Sequence, residues 1–392
     1  MKLFVILLAG LAMLGPFTTD TYFPFFPDMQ AHFGISQALV QQSLSVYLLT
    51  FTVMMLFHGA LSDSFGRRPI VLVSLIGFIA TSIGCALTDN YCWLLVLRGG
   101  QGLFVGAGTV VGQAIIRDRF NGIQAQKLIS QVTMLFGLAP AIAPLLGGWL
   151  HQYFAWQSTF AFLALLGAVW LLLCYLKLPE SLPVSARQSF HPALLVKNYV
   201  AVISHVPFIA LVSSIGFGFG GFLVYVAGAP DFVFKVLHLS EVQFGWLFIP
   251  IVIGLITGSA IASKLAGLVA THTMIKASYL LMGLAAIANL TYCTLTVPAV
   301  PWAVLPILFY TLGLTLLLPG AMTLALDIFP EKRGMAASIQ GFMQSIIFTV
   351  ISALLIPLIL GNALGYALAM LLMYGLNLLA WCLYQHLNAH NS

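Results

Sequence analysis

Long, continuously apolar runs alternate with short polar breaks along the whole chain. A membrane-crossing helix needs about 20 apolar residues. Runs of that length occur twelve times, at about 3–26, 38–60, 69–88, 91–115, 127–149, 157–178, 203–227, 242–263, 273–293, 301–323, 337–360 and 363–385. They are apolar throughout rather than alternating along ten-residue segments, which excludes a transmembrane β-barrel. The pattern predicts an all-α integral membrane protein with twelve transmembrane helices.

Composition agrees. Hydrophobic residues make up 61% and charged residues 6%, against roughly 45–50% and 25% in soluble domains, so too little charge is present to cover a soluble fold. Thirteen of the 15 Lys and Arg (Lys2, Arg67, Arg68, Arg117, Arg119, Lys127, Lys177, Arg187, Lys197, Lys264, Lys276, Lys332 and Arg333) fall on the side that carries the amino terminus. Lys235 falls on the other side and Arg98 inside a run. Loops rich in Lys and Arg stay cytoplasmic, so both termini are expected in the cytoplasm, and the opposite side is called outer below. The net charge of +5 is a topology signal, with no clustered basic face that would suit nucleic acid. Lys2 and the run after it have the look of a signal peptide, but the run continues past Asp20 without a small-x-small cleavage site. The five cysteines are scattered and imply neither a metal site nor a disulfide framework.

A weak internal repeat divides the chain. Tyr22-x4-Pro27-Asp28 at the end of the first run matches Tyr225-x4-Pro230-Asp231 at the end of the seventh, and Asp118-Arg119-Phe120 matches Asp327-Ile328-Phe329. The expected organisation is a six-helix bundle over 1–178, a cytoplasmic linker over 179–202 and a second six-helix bundle over 203–392, related by pseudo-symmetry. Duplicated six-span halves with a site at their interface are an architecture of secondary transporters.

Two charged residues lie well inside the apolar runs rather than near their ends, Asp20 and Arg98. A charge at the centre of a membrane costs roughly 2.5–3.5 kcal/mol on insertion scales and so marks a functional site. Asp20 sits among Thr18, Thr19 and Thr21, just before Pro24 and Pro27, which loosen the outer end of the helix. Desolvation disfavours a carboxylate, so Asp20 is the candidate for taking up and releasing a proton. Arg98, Gln101 and Gly102 share a helix face. An arginine stays cationic at any accessible pH, so Arg98 is expected to bias a nearby carboxylate or to hydrogen-bond across the bundle, rather than to carry the proton itself. Gly137-x2-Pro140-x3-Pro144-x2-Gly147-Gly148 predicts a bent, closely approachable helix suited to gating. The loop Gly59-Ala60-Leu61-Ser62-Asp63-Ser64-Phe65-Gly66-Arg67-Arg68 is a tight inner turn anchored by its arginines, with Asp63 placed to meet one of them or a helix amino terminus.

That loop resembles the signature of the major facilitator superfamily, Gly-x-Leu-x-Asp-(basic)-x-Gly-Arg-(basic), with Ser64 departing at the first basic position. Arg98-x2-Gln101-Gly102 resembles the superfamily's span-four motif, associated there with proton transfer. Gly137–Gly148 is similar to its antiporter motif, with Ala139 in place of the usual glycine. Asp20-x-Tyr22-x-Pro24-x2-Pro27, Ile116-Arg117-Asp118-Arg119-Phe120, Tyr225-x2-Gly228-x-Pro230 and Phe329-Pro330-x3-Gly334-x-Ala336-Ala337-Ser338 resemble the bicyclomycin- and chloramphenicol-resistance branch of the twelve-span drug:proton antiporters. The resemblance implies a bacterial inner-membrane, multidrug efflux protein driven by the proton gradient, with no other cofactor and with Asp20 as its central acid.

On this reading a small amphipathic or cationic compound enters a central cavity and exchanges for protons by alternating access, with the protein acting as a monomer in the bilayer. Candidate polar lining comprises Tyr22, Gln42, Tyr47, Gln101, Gln113, Tyr225, Gln340 and Gln344. A dedicated exporter or importer of one metabolite, such as a siderophore, sugar or amino acid, remains the alternative, because signature loops report the machine and not the cargo. An enzyme would need a nucleophile, a metal set or a carboxylate pair, and the dispersed histidines supply none. No phosphate loop is present for direct coupling to ATP.

Overall fold

The computed structural model describes residues 2–120, 122–187, 190–265, 267–329 and 333–389. Pro330 and Lys332 lie outside the described residues, as do the side chains of Lys2, Lys127 and Arg333. The chain divides into two compact units, Met1–Pro192 and Ala193–Ser392. Unit 1 contains spans 1 to 6, Phe4–Phe33, Gln37–Phe65, Arg67–Leu87, Tyr91–Arg119, Met134–Tyr153 and Gln157–Lys177. Unit 2 contains spans 7 to 12, Val206–Ala227, Glu241–Leu265, Thr271–Leu295, Leu305–Ala325, Met335–Ile359 and Ala363–Asn388. The stretch 179–202, read as a linker, carries a 3-10 turn at Val184–Ala186 and most of a helix, Pro192–Ile203.

The first span of each unit is its structural centre. In spans 1 and 7, 72% of the most apolar stretch is buried within the protein, against 28–56% for the other spans. Those two spans therefore contact protein on nearly every face, while their neighbours keep a face for lipid. Both are also broken near their outer ends. Span 1 is helical over Lys2–Asp20, turns at Thr21–Tyr22, continues as a 3-10 turn Phe23–Phe25 and ends as a short helix, Phe26–Phe33. Pro24 and Pro27 have no N–H to give to the preceding turn, which is why the regular ladder stops there. Span 7 breaks at Gly228, followed by the short helix Ala229–Asp231 and a π-turn, Phe232–Val236.

Span 5, expected to bend at its glycine and prolines, is interrupted at Gly137–Leu138, between the helices Gly122–Phe136 and Ala139–Tyr153. Pro140 occupies the first turn of the second helix, where a missing N–H does no harm, and Pro144 is carried inside it. Two glycines set how closely helices approach. A Cβ on Gly102 in span 4 would collide with the Tyr47 carbonyl of span 2, and one on Gly147 in span 5 with the Thr21 carbonyl of span 1. In unit 2, Phe208, Leu211 and Ile215 of span 7 pack with Tyr279, Leu317, Ile339 and Trp381 as a continuous apolar core.

Candidate functional site

Asp20 ends the first helix of span 1 and is 2% exposed. Its single hydrogen-bonding neighbour among the described residues is the Thr19 hydroxyl, 2.7 Å from Oδ1, and that same hydroxyl lies 2.9 Å from the carbonyl of Pro16. One hydroxyl proton cannot serve both acceptors. With Asp20 ionised, Thr19 donates to the carboxylate. With Asp20 protonated, the acid can donate to Thr19 Oγ1, whose own proton then goes to Pro16. One proton thus reverses one hydrogen bond and switches on another at the broken end of the helix. Thr18 and Thr21 donate back to Leu14 and Phe17 and do not reach the acid.

Arg98 is fully buried. Its Nη1 donates to the Thr18 carbonyl at 3.2 Å and to Gln101 Oε1 at 2.7 Å. Gln101 Nε2 donates to Ser82 Oγ at 2.8 Å, and Ser82 donates to the Phe78 carbonyl at 2.7 Å. Among the described residues, Nε and Nη2 have no hydrogen-bond partner. Instead the guanidinium lies 4.4 Å from the ring centroid of Tyr22, 4.7 Å from that of Tyr47 and 5.8 Å from that of Phe160. Each contact is within the reach of a cation–π interaction, worth about 2 kcal/mol when desolvated, so aromatic faces replace the missing acceptors. No ion pair joins Arg98 to Asp20. The cation reaches span 1 through a backbone carbonyl two residues before the acid.

The eight residues expected to line a cavity do not behave alike. Tyr22, Tyr47 and Gln101 gather around Arg98 and are closed off from solvent. The Tyr22 hydroxyl is 3.5 Å from Ser43 Oγ, and the Tyr47 hydroxyl donates to the Gly15 carbonyl at 3.2 Å. Gln42 is half-buried and Gln113 exposed. In unit 2, Tyr225 is buried, takes a 2.5 Å hydrogen bond from Asn289 Nδ2 and packs against Phe232 and Tyr366, while Gln340 is buried and Gln344 half-buried. Sequence reasoning missed Ser82, Ser43, Phe160 and Asn289. A lone Ser or Asn in an apolar run was the available signal.

The stretch from Gly59 to Arg68 forms a second cluster; it is not the expected loop, because span 2 stays helical to Phe65 and span 3 starts at Arg67, leaving Gly66 alone between them. Arg67, 6% exposed, donates from Nη1 to Ser62 Oγ at 2.7 Å and to Asp63 Oδ1 at 2.5 Å, and from Nε to Asp118 Oδ2 at 2.9 Å. Asp118 also accepts from Ser181 Oγ at 2.8 Å. Glu180 had been read as part of a linker. Its carboxylate accepts the backbone N–H groups of Arg67 at 3.0 Å and Arg68 at 3.3 Å, capping the amino terminus of span 3, and takes Ser181 N and Leu182 N as well. Four donors and the positive end of a helix hold one carboxylate there. Arg68 donates to the Tyr175 carbonyl at 2.8 Å. Gly66, at φ +101°, makes the turn between spans 2 and 3, and Gly59 is half-buried along span 2. Gly148 is buried beside Gly147.

Comparison with known proteins follows the same lines. The sequence profile of the Major Facilitator Superfamily matches residues 8–352. An uncharacterized MFS-type transporter of Bacillus subtilis, YdgK, is 31% identical over 89% of this chain and 87% of its own length. A bicyclomycin resistance protein homolog of Haemophilus influenzae is 26% identical over 90% and 88%, and multidrug resistance protein D of Escherichia coli 27% identical over 96% and 94%. Among solved structures, a D-xylose-proton symporter superposes with a TM-score of 0.75 at 17% identity, covering 97% of each chain, which bears on the fold alone. Twelve apolar helices among the described residues, a buried acid and arginine in unit 1, the signature segment at 59–68 and these relatives agree: the chain is a transporter, not an enzyme, and belongs to the major facilitator superfamily, with relatives in its bicyclomycin- and multidrug-resistance branch.

Proposed function

We propose that this protein is a proton-coupled multidrug exporter that exchanges small amphipathic or cationic compounds for protons by alternating access. Asp20 is the proton carrier in this reading and Arg98 the fixed charge that biases it. The observation that carries the proposal is the Asp20 carboxylate itself, 2% exposed, unpaired with Arg98 and touching one hydroxyl that can reverse its hydrogen bond. Such a group can be neutral in one state of the cycle and anionic in another without dismantling a salt bridge. The relatives named for bicyclomycin and multidrug resistance favour drugs as cargo. The clusters at Gly59–Arg68 and Gly137–Gly148 would act in gating. The protein would work as a monomer in the bacterial inner membrane with both termini in the cytoplasm, the proton gradient supplying the energy. Tyr22, Tyr47, Gln101, Tyr225 and Gln340 are buried within their own units, so their part in substrate binding would require a rearrangement that uncovers them. Gln42, Gln113 and Gln344 are the proposed polar contacts that need none.

The test uses inside-out membrane vesicles with an imposed pH gradient and a panel of cationic drugs. Drug-induced proton release is expected with the wild type and lost in Asp20→Asn. Equal release from both would remove Asp20 from the coupling step. Absence of release with every drug would reject multidrug antiport.

A further inference from the structure

Tyr22 and Tyr225 occupy matching places in the repeat and are held in different ways. The Tyr22 ring centroid lies 4.4 Å from the Arg98 guanidinium. Tyr225, 1% exposed, packs with two rings, Phe232 at 4.9 Å and Tyr366 at 5.6 Å between centroids, and these two lie 5.2 Å apart. Phe232 follows the break in the same span, whereas Tyr366 comes from the first turn of span 12. Asn289 of span 9 donates to the Tyr225 hydroxyl at 2.5 Å and so fixes the far end of the ring. The near face depends on where Tyr366 stands.

Asp231 is a buried acid that the reading above does not use. Its counterpart in the repeat, Asp28, is exposed, but Asp231 is 1% exposed and lies just beyond the break in span 7. Burying a carboxylate is costly unless donors compensate it. Its Oδ2 accepts the backbone N–H of Gly361 at 2.6 Å and the Tyr366 hydroxyl at 3.1 Å. The same hydroxyl lies 3.1 Å from the Gly228 carbonyl, so its one proton is shared between two acceptors at the broken end of span 7. A Cβ on Gly228 would collide with the Tyr366 ring, so the glycine lets ring and backbone touch. Gly361, at φ +70°, makes the turn that leads into span 12. One carboxylate oxygen thus holds both the Tyr366 hydroxyl and the turn that precedes Tyr366. Oδ1 has no hydrogen-bond partner among the described residues and lies 3.9 Å from the half-exposed Lys235.

We propose that Asp231 is a positioning residue that acts through Tyr366 to hold the ring of Tyr225, a proposed cargo contact of unit 2. The effect on cargo rests on the antiport reading above; the placement of Tyr225 does not. The acceptor oxygen does the positioning rather than the charge, because Oδ2 takes both hydrogen bonds while an ion pair with a half-exposed lysine contributes little. An asparagine keeps an oxygen for both donors and puts its amide nitrogen where Oδ1 stood. An alanine keeps neither.

Fluorine NMR of the purified protein in lipid nanodiscs, with meta-fluorotyrosine in place of tyrosine, reads the placement directly. The Tyr225 signal is assigned by its loss in Tyr225→Phe, and unchanged amide hydrogen exchange in span 8 identifies variants that are folded. Asp231→Ala and Tyr366→Phe are each expected to shift or broaden the Tyr225 signal, and Asp231→Asn to leave it at its wild-type position. An unmoved signal in folded Asp231→Ala, or one moved as far in Asp231→Asn, would overturn the proposal. If Asp231→Ala does not fold, Tyr366→Phe, which keeps the ring and loses the hydroxyl, decides together with Asp231→Asn.

Drug-induced proton release in vesicles then tests the consequence for cargo. Asp231→Ala is expected to raise KM about two- to tenfold, the range of one lost hydrogen bond, with kcat within about twofold of wild type. Asp231→Asn is expected to keep the wild-type KM. In a Tyr225→Leu background, which lacks the ring, Asp231→Ala is expected to raise KM no further, because both changes act on one contact. A further rise there would overturn the route through Tyr225. An unchanged KM in Tyr225→Leu, with the fluorine signal moved as expected, would withdraw Tyr225 from cargo binding and leave its positioning by Asp231 upheld.

Discussion

Asp20 and Arg98 lie in one buried region without pairing, and that separation sets their effects on stability apart. Arg98→Lys keeps the charge but loses the planar fork. The arginine makes two charge-assisted bonds from Nη1 and stacks on two tyrosine rings. Hydrogen bonds to charged groups contribute about 1.5–3 kcal/mol each, and an ammonium in the same place keeps roughly one of the two. With part of the aromatic contact also lost, the expected cost is about 2–4 kcal/mol. For a unit of this size each kcal/mol lowers Tm by about 2–4 °C, giving a fall of roughly 4–16 °C. Asp20→Asn replaces a buried acid that has one hydroxyl partner, and that hydroxyl can turn to Pro16. Its Tm is expected within about 3 °C of wild type, in either direction. Had the two residues formed a buried ion pair, deleting the acid would cost about 3–5 kcal/mol. With Cys92, Cys293 and Cys382 replaced by Ala, thermal unfolding followed with a thiol-reactive dye reports on unit 1 through Cys85 and Cys174, both fully buried. An Asp20→Asn protein that melts as early as Arg98→Lys would refute the separation.

Three further outcomes follow from named contacts. Glu180→Ala uncaps span 3 and leaves four N–H donors without their carboxylate. A cost of about 1–2 kcal/mol is expected, visible in the same melt, whereas Arg187→Ala, at 3.8 Å from Glu180 and half-exposed, is expected to change Tm little. Gly102→Val and Gly147→Val would drive a side chain into the backbone of a neighbouring span, so gel filtration should show loss of folded protein. Gly375→Ala, with nothing within 4 Å of the added carbon, should be neutral or stabilising by up to about 1 kcal/mol. Asp118→Asn removes the charged partner of Arg67 Nε at 2.9 Å while Asp63 remains. Faster exchange at the amino terminus of span 3 is expected, with the 26–33 helix unchanged.

Much of this protein was legible from its sequence, for a physical reason. Hydrocarbon demands long apolar helices and penalises charge, so the twelve spans and the two anomalous residues, Asp20 and Arg98, stood out without any coordinates. The prolines and glycines of spans 1 and 5 announced bends, because a missing N–H or Cβ acts locally. The interruption of span 5 lies at Gly137–Leu138 and not at its prolines, since Pro140 is tolerated in a first turn. Partnership was not legible. Whether Arg98 would meet Asp20, the tyrosines or a serine on span 3 depends on helix rotation and packing, which periodicity does not specify. Glu180 read as a linker residue and proved to be a helix cap 113 residues from the N–H it accepts. The sequence by itself determined which groups were too costly to bury without a purpose. The tertiary structure alone decided how those groups are held, because hydrogen bonds and aromatic contacts are made between spans distant in the chain.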